Sequence, residues 1–143
     1  GGLMSGVLQG MHKVGWTDVP LVAVETAGAA SLNAAVTAGA PVTLDAVTSV
    51  ATSLAARRVC DSAFQWTLRH PVTAITVTDR QATAGCVALA DAHRLIVEPA
   101  CGAALAGVMA REPQVLRDAR RVLVIVCGGV GATAADVARW AGQ

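Results

Sequence analysis

The chain is 143 residues long, 54% hydrophobic and 15% charged, with one Phe, three Trp and no Tyr, a composition that suits one packed globular domain and excludes a disordered tail. Eleven basic against ten acidic residues leave a formal net charge of +1, and the scattered Arg exclude a nucleic-acid or membrane binder that works through a clustered basic patch. Lys13 is the only lysine, so lysine chemistry within this chain has one candidate.

Leu3, Val7, Met11 and Val14 recur at helical spacing directly after Gly1-Gly2, which predicts a first helix. Gly15 and Asp18 to Pro20 break it, and the apolar run Leu21 to Val24 reads as a strand covered on both faces, ended by Glu25. Ser31 to Ala38 reads as a small-residue helix, and Thr43 to Arg58 as another, with Thr43 as its cap and Asp45 close behind. Cys60 to Arg69 follows as a helix with Phe64 and Leu68 on one side, stopped by His70-Pro71. Ile75 to Val77 is a short strand, Asp79 an N-cap, and Ala82, Cys86, Leu89 and Ala90 the apolar face of the next helix. After a short extended piece, Leu95 to Val97, a helix runs from Cys101 through Leu105, Val108 and Met109 and ends before Glu112-Pro113. Val122 to Val126 is the strongest strand signal in the chain, followed by Gly128-Gly129 and a last helix from Thr133 to Trp140.

Apolar strands alternating with helices predict an α/β domain with a parallel sheet, because parallel strands need helical crossovers and are buried on both faces. Ligands of such sheets bind past the carboxyl ends of the strands. The segments to inspect are therefore Glu25 to Ala29 and Cys127 to Gly129.

Glu25 is followed by a small-residue turn whose carbonyls could join its carboxylate around a hard cation; a solvated strand-end acid accounts for it equally. Glu98 before Pro99 has the same two readings. Gly1-Gly2 at a helix start could hold a phosphate on free backbone N–H groups, or be ordinary loop glycines, since no Walker or Rossmann fingerprint is present. Cys127 could donate a hydrogen bond into a cleft or pack as a small hydrophobe. Cys60, Cys86 and Cys101 read as packing residues, and no CxxC pair points to zinc or thioredoxin-like chemistry. His12, His70 and His93 share no metal or triad spacing, and no serine sits in a nucleophile elbow.

Gly1-Gly2-Leu3, Val24-Glu25-Thr26-Ala27-Gly28-Ala29, the run from Thr48 to Leu54, Val97-Glu98-Pro99-Ala100-Cys101-Gly102-Ala103-Ala104-Leu105-Ala106, and Val124-Ile125-Val126-Cys127-Gly128-Gly129 together resemble the serine/threonine dehydratases. These are pyridoxal-phosphate enzymes of the tryptophan synthase β-like fold, called fold type II, and the likeness is strongest to the L-serine dehydratase branch. The resemblance implies that residues 1–143 are the C-terminal part of the large cofactor-binding domain. It implies that Gly1, Gly2 and Leu3 end the loop that holds the cofactor phosphate, and that Cys127 faces the pyridine nitrogen. Glu25, with the carbonyls of Ala29, Leu54 and Ala56, matches a monovalent-cation site, usually potassium. The implied reaction is β-elimination from L-serine or L-threonine to a 2-oxo acid and ammonia in a cytoplasmic homodimer, with no nucleic-acid or membrane partner.

The family's Schiff-base lysine lies outside the matched stretch, and Lys13 is expected to point to solvent. Val130-Gly131 departs from the polar residues usual in relatives, and Arg111 to Arg120 is shorter. With no initiator Met and no basic region before an apolar core, the chain is read as part of a longer one and is expected to be inactive alone, with apolar surface exposed where missing strands belong. The competing reading is a noncatalytic α/β module that kept the family core and binds a phosphate ligand or a partner protein.

Overall fold

The computed structural model describes residues 1–111 and 113–142. Its centre is a pair of parallel strands, β1 (Leu21–Thr26) and β2 (Val72–Val77), paired from Leu21↔Val72 to Thr26↔Val77. A parallel pair needs a crossover, and here it contains helices α2 (Ser31–Ala38) and α3 (Asp61–Arg69). Before the pair comes α1 (Gly2–Lys13), and after it come α4 (Asp79–His93), α5 (Pro99–Ala110), the short α6 (Gln114–Asp118) and α7 (Ala134–Ala141).

Alternation along the strands sends successive side chains to opposite faces. Ala23 and Ala74 pack against Leu32 and Ala35 of α2, Val59, and Ala63 and Phe64 of α3. Val24 and Val77 meet Ala103 and Ala106 of α5 and Ala82 of α4. The sheet thus lies between two helical layers, in the expected α/β arrangement. Helix α5 is apolar on every side, which suits its central position, and its glycines set how closely it approaches. A Cβ on Gly107 would stand 2.9 Å from Val24 Cγ2, and one on Gly102 would run into the carbonyl of Ala82 and stand 2.6 Å from Cys86 Sγ. Gly85 faces Gly102 from the other side, so α4 and α5 touch backbone to backbone.

Several expectations need correction. Residues 43–58 are not a helix: the segment is irregular apart from one 3₁₀ turn, Thr52–Leu54. Ser49 Oγ accepts from the Ala51 N–H at 3.0 Å, the local alternative by which hydroxyl side chains divert backbone from helix, and the segment's ends are closed by the Leu44 N–H on the Arg57 carbonyl at 2.8 Å. Residues 122–126 form no strand, because a strand needs a ladder partner and, among the described residues, the backbone of 121–127 has none. The apolar side chains are left in the open, with Leu123 80% exposed. Leu95 and Ile96 are likewise exposed and unpaired in strands, while Val97 is buried. Leu68 is 66% exposed; the buried side of α3 is Ala63 and Phe64. The N-cap of α4 is Thr78, whose hydroxyl accepts from the Gln81 N–H while Gln81 reaches back to the Thr78 N–H, the reciprocal capping box; Asp79 points elsewhere. Strand β2 begins three residues earlier than expected, and α6 is an element the sequence reading did not contain. The helix expected from Cys101 ends at Ala110, and Glu112 lies outside the described residues.

Candidate functional site

Glu25, expected to end the strand, is instead paired within β1 as its penultimate residue, and is buried, 9% exposed. Its Oε1 accepts from the Leu32 N–H at 2.9 Å and its Oε2 from the Asn33 N–H at 2.8 Å. These are orphan donors in the first turn of α2, whose N-cap position, Ala30, has no side-chain acceptor. The carboxylate is therefore a remote cap placed at the positive end of the helix dipole, and the solvated strand-end reading is wrong. Burial pushes its pKa up from the usual carboxylate value, partly offset by the two N–H bonds. A carboxylate offers about four lone-pair sites, so the cap leaves acceptor capacity free.

Ala29 is buried in the 3₁₀ turn Ala27–Ala29 that follows β1. Leu54 and Ala56 lie in the 44–57 segment, which is clasped to that turn by the Thr48 N–H on the Gly28 carbonyl at 2.9 Å. Gly28 is required there, since a Cβ would sit 2.7 Å from Thr48 Oγ1. The clasp continues as a polar chain. Thr26 Oγ1 donates to Ser49 Oγ at 2.7 Å, Ser49 Oγ donates to Asp79 Oδ1 at 2.6 Å, and Asp79 Oδ2 accepts from the Val50 N–H at 3.1 Å. Sequence reasoning missed this chain because Asp79 resembles a cap; the nearby Thr-x-x-Gln box was the signal that Asp79 was free for another task.

Gly1 is the N-cap of α1 and supplies no side-chain cap. A Cβ on Gly1 would collide with that of Ala63, whereas one on Gly2 would meet nothing within 4 Å. The first turn of α1 thus has open space above Gly2, and Leu3 is exposed. Lys13, in the last turn of the same helix, is exposed as expected.

Cys127 is exposed, not packed as a small hydrophobe. Its Sγ lies 3.6 Å from Sγ of the buried Cys101, whose thiol donates to the Gly128 carbonyl at 3.3 Å. The Cys101 thiol, then partial burial, raise the Cys127 pKa, so its S–H form dominates at neutral pH. Cys101 therefore has a partner beyond packing. Cys86 is fully buried and burial pushes it up to about 11, whereas Ser62 and the α3 N-terminus lower the pKa of the exposed Cys60. Glu98 stands at the N-cap position of α5 without a side-chain cap bond, and its N–H holds the Gly128 carbonyl at 3.2 Å; its carboxylate leans toward Gly131, where a Cβ would stand 3.1 Å from Oε2.

Two histidines that sequence spacing kept apart also meet. His12 Nε2 lies 3.1 Å from His70 Nδ1, and His70 Nε2 lies 2.8 Å from the Val19 carbonyl. His70 thus donates to Val19 and accepts from His12, tying α1 to the start of β2. Among the described residues no group of three or more His, Cys, Asp or Glu is placed to hold a metal, and no helix is long and apolar enough to cross a membrane. Two shallow depressions, of about 190 and 350 Å³, lie beside Ile75–Val77 and beside Gln9 and Trp66; neither contains Gly1, Gly2, Leu3, Glu25, Ala29, Leu54, Ala56 or Cys127.

The family model described as pyridoxal-phosphate dependent enzyme matches residues 1–128. The chain is 43% identical over 136 residues to the L-serine dehydratase/L-threonine deaminase of Homo sapiens, covering 90% of this chain and 42% of that protein. It is 40% identical over 135 residues to the L-serine dehydratase of Dictyostelium discoideum, covering 92% of this chain and 39% of that protein. A crystal structure of an L-serine ammonia-lyase from Rhizomucor miehei superposes with a TM-score of 0.89 at 31% identity, over 96% of this chain and 45% of that one. The chain spans less than half the length of these relatives, and its layered sheet is the corresponding part of their type II fold. With matching sequence over residues 1–128 and matching architecture over nearly all of its length, the chain belongs to the pyridoxal-phosphate dependent enzymes, in the group that resembles the L-serine dehydratases.

Proposed function

We propose that residues 1–143 are the C-terminal part of the cofactor-binding large domain of an L-serine ammonia-lyase, which eliminates the β-hydroxyl of L-serine, with L-threonine as a second substrate, to give a 2-oxo acid and ammonia. The observation that carries this reading is the 43% identity to L-serine dehydratase/L-threonine deaminase across 136 residues. Pyridoxal phosphate, when bound, supplies the electron sink that labilises the substrate α-proton. The catalytic lysine lies outside this chain, since Lys13 is exposed at the far end of α1 from the glycine pair, and these residues alone are inactive.

The chain's own residues fit these roles. Gly1, Gly2 and Leu3 present backbone N–H groups at a helix end with no side-chain cap and open space above Gly2, which suits a phosphate. Cys127, a thiol beside Cys101 with a raised pKa, would offer the cofactor ring a neutral hydrogen-bond donor. Glu25 is a buried carboxylate with spare lone pairs and, with the carbonyls of Ala29, Leu54 and Ala56, would hold a monovalent cation, potassium. The full protein is a cytoplasmic homodimer.

Cofactor affinity tests the reading. In the full-length protein Gly2→Asp places a carboxylate where the phosphate would lie without disturbing packing, as nothing is within 4 Å of that Cβ. Binding of pyridoxal phosphate should weaken by about tenfold or more, the equivalent of roughly 1.4 kcal/mol. Unchanged affinity would remove Gly2 from the phosphate site, and a full-length protein that binds no cofactor would leave the noncatalytic module as the account.

A further inference from the structure

We propose that Cys101 and Cys127 form a redox-active dithiol that closes to an intramolecular disulfide. The pair is assembled by the fold: the residues stand 26 apart, one near the start of α5 and one at the end of the unpaired 121–127 run. Their sulfurs are 3.6 Å apart, and a disulfide needs about 2.05 Å. Cys127 can supply this movement, because no ladder hydrogen bond pins residues 121–127 among the described residues, while the Gly128 carbonyl beside it stays anchored by the Glu98 N–H at 3.2 Å. The two members differ in the way such a pair requires, with Cys127 exposed to oxidant and Cys101 buried against its back.

With a peroxide as oxidant, the Cys127 thiolate attacks one peroxide oxygen, the O–O bond breaks, and one water leaves after protonation. Cys101 Sγ then attacks the resulting sulfenic sulfur, the S–O bond breaks, and a second water leaves. Two thiols give up two electrons and peroxide is reduced to two waters. The raised Cys127 pKa makes the first step slow at neutral pH and faster as pH rises, since the thiolate is the nucleophile. On the proposed function, closure would withdraw the Cys127 S–H from the cofactor.

The test is peptide mapping without reduction, after hydrogen peroxide treatment of the folded chain and alkylation of the remaining thiols. Trypsin separates all four cysteines, placing Cys101 in residues 95–111 and Cys127 in 122–139. Cys60→Ser is used as the background, because the exposed Cys60 would otherwise join chains together. The expected result is loss of two of the three remaining thiols, a linked 95–111/122–139 pair that dithiothreitol releases, and a higher rate at higher pH. Cys127 recovered only as sulfinic or sulfonic acid, or linked to Cys86, with Cys101 still open to alkylation, would overturn the proposal. So would two intact thiols under conditions that oxidise Cys60 in the unsubstituted chain. The readout is independent of cofactor and turnover, so it fails or succeeds apart from the functional reading.

Discussion

Glu25→Ala tests whether the strand-end carboxylate holds the α2 end of the sheet. The substitution strips both acceptors from the first turn of α2 at once. Loss of an N-cap interaction costs about 1 kcal/mol. The Leu32 N–H belongs to a buried residue and is left without a partner, which costs about 1 to 3 kcal/mol, while the half-buried Asn33 can turn to water. Relief of the carboxylate's own desolvation offsets part of this, leaving about 2 kcal/mol. That loss falls on the cluster of Leu32, Ala35, Val59, Ala63 and Phe64, which α2 helps to build. Glu25→Gln keeps one acceptor and removes the buried charge, so it should lose less than Glu25→Ala. The assay is the denaturant midpoint at pH 7 for wild type and both variants. If Glu25→Ala matches wild type, the carboxylate is not the cap and the argument from its two N–H bonds fails.

The acid limb of the stability curve gives a second check. Because the folded-state pKa of Glu25 is raised above 4.5, its contribution is fully present below the unfolded value and is lost as pH rises through the folded value. Titrating stability upward from pH 4 should show this loss, smaller in potassium than in a large organic cation if the ion binds the ionised carboxylate, and absent in Glu25→Gln. Gly102→Ala forces a Cβ onto the Ala82 carbonyl and to 3.0 Å from the Cys86 N; overpacking of about 3 kcal/mol less about 1 kcal/mol of gained helix propensity predicts a net loss of about 2 kcal/mol, read by thermal melting. Leu123→Lys should leave the melting of this chain unchanged, since the side chain is already 80% exposed; on the proposed function it should destabilise the longer protein, whose further strands would cover it. Iodoacetamide at pH 7.5 should label Cys60 first and Cys86 last; equal rates would contradict the assigned environments.

The sequence was most legible where one local signal decided the outcome. Ser31–Ala38 follows directly from its small residues, and the apolar run Leu21 to Val24 marks the strand, which continues two residues further, to Thr26. It was least legible where the outcome depended on a distant partner. Residues 122–126 have every intrinsic feature of a strand and form none, because pairing is a property of two segments. Residues 43–58 have helical spacing that Ser49, bonded to Ala51 and Asp79, overrides. The same division runs through the candidate site: Glu25 stood out as a strand-end acid, but its task as the cap of a helix seven residues on is visible only in three dimensions. The Cys101 and His12 pairings likewise join residues 26 and 58 positions apart.

The most direct measurement is pyruvate release from L-serine in the presence of pyridoxal phosphate and potassium, on this chain and on the full-length protein. Turnover by the full-length protein alone, with none from residues 1–143, is the predicted result. Turnover by this chain alone would place the catalytic lysine within it and contradict the account, and a full-length protein that binds the cofactor but releases no pyruvate would sink the serine ammonia-lyase reading.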